Sequence, residues 1–381
     1  MERYLEAKKL ETVALADFPF CTSIDSKRSA EGAHAAPLAG QVRGMADIFE
    51  LTSTLVNIES ITNNEAAVGA YLFAALSELA AHWDGRVERC AVEADRFNVF
   101  AHWGNPGVTL STHMDTVPPF FPAREDANFI WGRGSADAKG IIAAMMGAAE
   151  GLLASGTRNF GLLFVVGEER NSAGAYAAAR DPRGSRYLIN GEPTENQLAL
   201  ASKGMLRYEI AASGKLAHSA YPELGVSAID KLLDVLQDVR KIRFPEDALL
   251  GATTLNIGVI SGGRAPNIVP DAAVAEIAIR LVGDPAPVRR AMLETVGSRA
   301  EAREILCIPA VRFEPFAGLE TSVVAYTTDV PAFANTWGQP FVLGPGNIHV
   351  AHTSEERVLK RELVAASEIY QRMVQQLLAM C

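Results

Sequence analysis

Two adjacent carboxylates, Glu168 and Glu169, follow Gly167 and the apolar run LLFVV in residues 162–169. Such a run reads as a buried strand stopping at the glycine, and neighbouring side chains at a strand end point in different directions. One carboxylate can then face a metal ion while the other stays free as a base. Taken alone, the pair is more simply read as two solvated loop acids, because glutamate is mostly exposed. A second strand, residues 108–112, ends in His113-Met114-Asp115. Residues two apart on an extended backbone share a face, so Asp115 can fix the His113 tautomer that offers a nitrogen to a metal. A third apolar strand, residues 187–190, runs into Gly191 and Glu192. Acids and a histidine at three successive strand ends mark the edge where open α/β sheets build their sites.

Between these strands lies WGRGSADAKG, residues 131–140, whose glycines permit a tight turn. Asp137 stands at the start of a small-residue helix reaching about residue 154, where a plain N-cap is the simplest role. The loop has neither Walker nor GxGxxG spacing, so no phosphate site is expected. Near the C-terminus, FVLGPGNIHVAHTSEE, residues 341–356, offers His349 and His352, and position alone does not choose between them.

These groups need a scaffold. Ile48, Leu51, Leu55 and Ile58 recur at helical spacing, a second helix is predicted over 65–82, and strands over 85–92 and 97–103. With a helix at 173–180, this alternation predicts an α/β fold whose mixed, mostly parallel sheet is flanked by helices. From Lys203 the character changes. Strands at 205–211, 253–260, 274–281 and 305–313 with helices at 225–242 and 287–302 give a ferredoxin-like β-α-β-β-α-β unit, two helices on one face of an antiparallel sheet. The sequence then turns glycine-rich again, which makes that unit an insertion. The expected divisions are an irregular extension at 1–45, a first part of the main domain at 46–202, the insert at 203–313 and the second part at 314–381. The last part closes with an amphipathic helix over 355–380, with Leu359, Leu363, Ile369, Met373 and Leu377 turned to the core.

The chain has 381 residues, 49% apolar and 21% charged, the balance of a soluble globular protein with ample core. A formal net charge of −10 argues against nucleic-acid binding, which wants concentrated lysine and arginine. Cys21, Cys90, Cys307 and Cys381 are scattered without Cys-x-x-Cys spacing, so a reduced, cytoplasmic setting is expected rather than a disulfide framework or zinc ribbon. No apolar run approaches the ~18 residues of a membrane span, and the N-terminus lacks a signal peptide's hydrophobic core.

Together the motifs HMD, GRGSADAKG, GEE, GEP and AHT, in that order along residues 46–381, give the chain its resemblance to a known group. It resembles the zinc-dependent metallopeptidase and deacylase family of acetylornithine deacetylase, succinyl-diaminopimelate desuccinylase, aminoacylase and the glutamate carboxypeptidases. The resemblance implies two zinc ions, with cobalt or manganese possible on the same ligands. Asp137 would bridge them, His113 and Glu192 would complete one site, and Glu169 and His352 the other, the AHT motif selecting His352 over His349. Some members carry Asp where this chain has Glu192. Asp115 would stand behind His113, and Glu168 would be the general base acting on a hydroxide held between the metals. The insert resembles the family's lid and dimerisation domain, which implies a homodimer in which His218, in KLAHSAYPELG, serves the neighbouring subunit's site as an oxyanion-stabilising donor. Arg280 and Asn267 would grip the substrate's carboxylate, and Thr327, Thr328 and Asp329 would line the pocket. The expected reaction is deacylation of an N-acyl amino acid, in the acetylornithine or acetyl-lysine direction. A dipeptidase or carboxypeptidase with the same centre comes second, and a non-catalytic binding protein, against which the intact ligand set speaks, a remote third.

Overall fold

Short runs separated by turns fold as the five strands that begin the main sheet, largely buried on both faces except for the charged edge strand at its start. They are β1 (Arg86–Glu93), β2 (Arg96–Trp103), β3 (Val108–His113), β4 (Phe160–Val165) and β5 (Tyr187–Asn190). The computed structural model describes residues 47–381, so the extension expected over 1–45 lies outside the described residues. β1 pairs antiparallel with β2 and β2 antiparallel with β4, whereas β4, β3 and β5 run parallel side by side. Helices α1 (Ile48–Val56), α2 (Ala66–Trp83), α3 (Lys139–Ala154) and α4 (Ala173–Arg180) connect and cover them.

Strand alternation divides the sheet between two cores. Phe160, Leu162 and Phe164 of β4 pack with α1, α2 and α3, while Leu163 and Val165 face α4 and the cluster around Phe333 and Trp337. The small residues of α3 have a packing reason. A Cβ on Gly147 would stand 2.8 Å from Ile48 Cδ1, so glycine is what lets α1 lie against α3.

The chain leaves this layer through the strand Leu198–Ser202 and builds a second sheet. Its strands are β6 (Gly204–Ser213), β7 (Thr254–Gly262), β8 (Ala272–Leu281) and β9 (Glu301–Ile308), with α5 (Ala228–Val239) after β6 and α6 (Pro285–Val296) after β8. The spatial order is β7-β8-β6-β9, all antiparallel. Alternating residues Leu206, Tyr208 and Ile210 of β6 and Ala275, Ile277 and Ile279 of β8 bury one face under Leu232, Val235, Leu236, Val288 and Met292 of the two helices. α6 starts on Asp284, whose carboxylate accepts the Ala286 N–H, with Pro285 at its first position. It ends six residues earlier than the predicted 302, because Gly297, at φ 55°, breaks the helical path and frees the chain to enter β9.

The closing strand expected at 305–313 is two pieces. β9 ends at Ile308, and Val311–Arg312 pairs antiparallel with Leu198–Ser202 in a small separate sheet. There Thr321–Val324 joins the other edge in parallel. The chain then returns to the main sheet as β10 (Gln339–Val342), parallel to β5, and ends in α7 (Lys360–Ala379). α7 begins later than predicted because Arg357–Leu359 is held as a strand against Phe129–Trp131. Leu363, Met373 and Leu377 are buried as expected, while Leu359 and Ile369 are only partly so. Among the described residues no helix is long and apolar enough to cross a membrane.

Candidate metal centre

β3, β4 and β5 run in one direction as neighbours, so their carboxyl ends share an edge of the sheet. His113 is the last residue of β3 and Glu192 follows two residues after β5. β4 stops at Val165, two residues before the glycine expected to end it. Gly167, at φ 80°, then turns the chain so that Glu168 and Glu169 leave in a turn. That turn, more than strand alternation, is what sends the two carboxylates in different directions.

Asp137 does not cap α3, whose N-cap is Ala138 without a side-chain bond. Its carboxylate instead lies between two imidazoles: Oδ1 is 2.9 Å from His113 Nε2 and Oδ2 is 3.3 Å from His352 Nε2. Glu169 Oε1 is 2.9 Å from the same His352 nitrogen. One ligand atom each from His113, Asp137 and Glu169 fall within 4.8 Å of one another. Glu192 is buried, and its Oε1 has no hydrogen-bond partner. His352 opens the cluster to solvent, its side chain 47% exposed. His349 is exposed, its backbone N–H bonded to the Asn347 side chain, so the structure brings only His352 of the two to the acids.

Burial drives the carboxyls of Glu168 and Glu192 well above their usual range and raises that of Glu169. Asp137 goes the other way: burial opposes its charge, but hydrogen bonds from His113 and His352 hold its carboxyl low. Burial also opposes a charged His113, yet Asp115 and Asp137 leave its imidazole well above the ordinary value. Bonds to Asp137 and Glu169 lift His352 to about 10. Two imidazoles are thus the groups on which positive charge can face this crowd of acids. Divalent cations would supply that positive charge and displace the protons. The donors fit such ions. They are imidazole nitrogen and carboxylate oxygen, Asp137 has one oxygen toward each histidine, and the orphaned Glu192 oxygen awaits a partner. Ligand separations of 2.9 and 3.3 Å approach the ~3.3 Å edge of a tetrahedron with bonds of about 2.0 Å.

Asp115 lies behind His113, its Oδ1 3.5 Å and its main-chain oxygen 3.0 Å from Nδ1. Its carboxylate also accepts the Glu168 N–H at 3.1 Å, the Glu169 N–H at 3.3 Å and the Thr62 hydroxyl at 2.8 Å. One side chain therefore orients a histidine and ties down the Glu168-Glu169 turn. The His-x-Asp spacing announces the first task and not the second.

Arg280 sits on the face of β8 turned away from α5 and α6, where its Nη1 is buried without a partner in the field of Glu168. His218 and Asn267 are exposed and stand together where Ala217–His218 pairs with Ile268–Val269. His218 Nδ1 accepts the Ala220 N–H, and the Asn267 carbonyl accepts the Ser219 N–H. Their bonds are thus local, and neither is drawn into the cluster of this chain. Thr327 is half-buried, and Thr328 turns its hydroxyl inward to accept the Val330 N–H. Asp329 is buried behind the cluster, and desolvation pushes its carboxyl up to about 7 against a hydrogen bond with Ser172. Sequence reasoning misses Tyr326, whose hydroxyl donates to the Pro193 carbonyl beside Glu192. Burial, reinforced by the charges of Glu192, Asp137 and Glu168, raises that phenol well above its usual value. Its place beside the Thr-Thr-Asp stretch is a signal that could have found it.

The family model described as "Peptidase family M20/M25/M40" matches residues 109–376. A peptidase M20 domain-containing protein of Schizosaccharomyces pombe is 36% identical over 348 residues, covering 86% of this chain and 84% of that protein. A protein of Aspergillus niger named "Probable carboxypeptidase" is 36% identical over 367 residues, covering 84% of this chain and 87% of its own. Among solved structures, aminopeptidase PepT from Bacillus cereus superposes with a TM-score of 0.70 at 20% identity, over 87% of this chain and 98% of that one. An M20 family metallo-carboxypeptidase from Sulfolobus solfataricus gives 0.70 at 17% identity, over 87% and 99%, a likeness of fold. With the family model spanning well over half of the sequence, the chain is a hydrolase that belongs to peptidase family M20/M25/M40, a family of metal-dependent peptidases.

Proposed function

We propose that the protein is a two-cation amidohydrolase that cleaves an amide whose amine half carries a free carboxylate. The observation that carries this reading is Arg280, a half-buried side chain whose Nη1 is fully buried and unpaired in the field of Glu168. A buried cation lacking a partner is costly, and a carboxylate matches its planar fork. An anion held there would lie in the field of the proposed base.

In this reading Asp137 would be shared by the two cations, His113 and Glu192 would hold one of them, and Glu169 and His352 the other. Zinc suits this donor set best, with cobalt or manganese as alternatives. The bound cations would supply an acidified water and a polarised carbonyl. Glu168 takes the proton of the attacking water and delivers it to the departing amine. Its burial, which favours the protonated form, suits the delivery half of that transfer. Asp115 keeps both His113 and the Glu168 turn in place. His218, on an exposed flank of the insert beside Asn267, serves the carbonyl oxygen of a second copy's substrate. The edge strand β7, with Val259 50% and Ile260 55% exposed, offers an apolar seam for that homodimer. Among the described residues Cys90, Cys307 and Cys381 form no disulfide, in keeping with the cytoplasmic setting of this reading.

An N-acyl amino acid and the C-terminal residue of a dipeptide present the same amide and the same carboxylate. Deacylation in the acetylornithine or acetyl-lysine direction is the first expectation of the sequence, whereas the name of the fungal relatives supports the carboxypeptidase side. A panel of N-acetyl and N-succinyl amino acids, dipeptides and their carboxyl amides, assayed with zinc or cobalt alongside metal content, separates these. We expect two cations per chain and hydrolysis confined to free carboxylates. Equal turnover of the carboxyl amides would remove Arg280 from the reading, and active protein with metal content near zero would remove the centre.

A further inference from the structure

Glu356 lies four residues beyond His352 and takes no part in the chemistry above. Its side chain is 1% exposed and pairs with Arg133 through Oε2. Its Oε1 accepts the backbone N–H groups of Gly134 at 2.9 Å, Ala136 at 3.3 Å and Asp137 at 3.2 Å. The Glu356 main-chain oxygen accepts the Gly132 N–H at 3.0 Å. The loop 132–137 is therefore wound around one residue from the far end of the chain, its N–H groups converging on an anion as they do in anion-binding nests. A bond to the Asp137 N–H fixes the backbone from which that carboxylate springs, and its two oxygens face different histidines.

We propose that Glu356 is a positioning residue that sets Asp137 between His113 and His352, so that residues 352–356 deliver one ligand and shape the loop of another as a single unit. The inference rests on the two-cation reading. Charge-assisted bonds are the strong ones, and partners lying behind metal ligands typically govern affinity by ~10–100-fold. Glu356→Gln keeps the shape and removes the fit. Its amide can offer an oxygen to the loop or to Arg133, and it turns an N–H₂ group toward the donors on the other side. The shared carboxylate is then loosened, and the cation whose hold depends on sharing it is lost first.

The test is a titration of chelator-treated protein with Co²⁺, followed by the visible absorption of the bound ion, alongside thermal melting of the metal-free chain. For the natural sequence two equivalents are expected, and a single equivalent would count against the two-cation reading without touching Glu356. In Glu356→Gln the second equivalent should weaken by ~10–100-fold with an altered cobalt spectrum, while the first changes less. Because an unpaired Arg133 endangers the fold, the double variant Arg133→Met/Glu356→Gln is measured beside it. A folded variant that binds cobalt as the natural sequence does, with the same spectrum, overturns the proposal. So does a double variant that cannot fold, since Glu356 would then be a stabilising brace. If the natural chain holds only one Co²⁺, the proposal stands or falls on whether that equivalent weakens in the variant.

Discussion

The strand-end cluster and the far side of the insert carry similar chemistry, yet only the first is closed upon itself. His113, Asp115, Asp137 and Glu169 bond to one another, and all but Glu169 are almost wholly buried. His218 and Asn267 are exposed and bond only to the backbone around them. A group whose partners lie within its own chain is preorganised by folding. A group left at the surface acquires its role through something else, a substrate or a second copy. Arg280 stands between the two cases, half-buried as a residue but with its Nη1 buried and unpaired.

Predictions follow that contrast. The largest effect belongs to the closed cluster. Glu168→Gln should lower kcat by ~10²–10⁴-fold with cation content unchanged, and retained turnover in steady-state assays would take the base out of the cluster. Arg280→Met should cost ~10–100-fold in kcat/KM, the value of hydrogen bonds to a charged group. The loss should fall mainly on KM and should erase the preference for free carboxylates over carboxyl amides. A smaller and more telling effect concerns the open flank. Mixing His218→Ala with Glu168→Ala protein under subunit exchange should restore roughly a quarter of the natural sites, because half of the dimers are mixed and each mixed dimer has one site intact. No recovery despite proven exchange would place His218 in its own chain's chemistry or in none.

The smallest effect concerns Asp329. Burial raises its folded pKa to about 7, above the ordinary carboxylate value. Between about pH 4 and pH 7 the folded chain therefore binds more protons than the unfolded chain, and stability falls as pH rises through that window. Asp329→Asn removes the titration. In chelator-treated protein it should raise Tm by on the order of 2–4 °C at pH 8, with the two proteins converging near pH 4. A constant difference across that range would contradict the assigned cause.

Much of the cluster is legible in the sequence because apolar strands stop abruptly at polar groups. Phe160–Val165 into Glu168 and Glu169, and Val108–His113 into Asp115, carry their meaning within a few residues. Asp137 is legible only through the company of the other motifs, since by itself it resembles a helix cap. Glu356 is not legible at all: Arg133, the partner that gives it meaning, is 223 positions away. Tyr326 fails to announce itself for the same reason, as a loop residue whose surroundings come from distant segments, whereas Asp329 is named only through the resemblance and its burial is not foreseen. In the fold, the layers and the order of the insert's elements follow from periodicity. The ends of α6 and α7 do not, because a positive φ at Gly297 and a strand pairing at Arg357–Leu359 override helical composition.

Ser202 faces Val311 in antiparallel register, so the insert's departure and arrival are next-door neighbours. A gene cut at the first codon and rejoined at the second would need only a tight turn to close the gap, with the adjoining pairing of Ala201 to Arg312 undisturbed. The strands of the main layer therefore lie wholly before Ser202 or after Val311, and none of them is threaded through the second sheet.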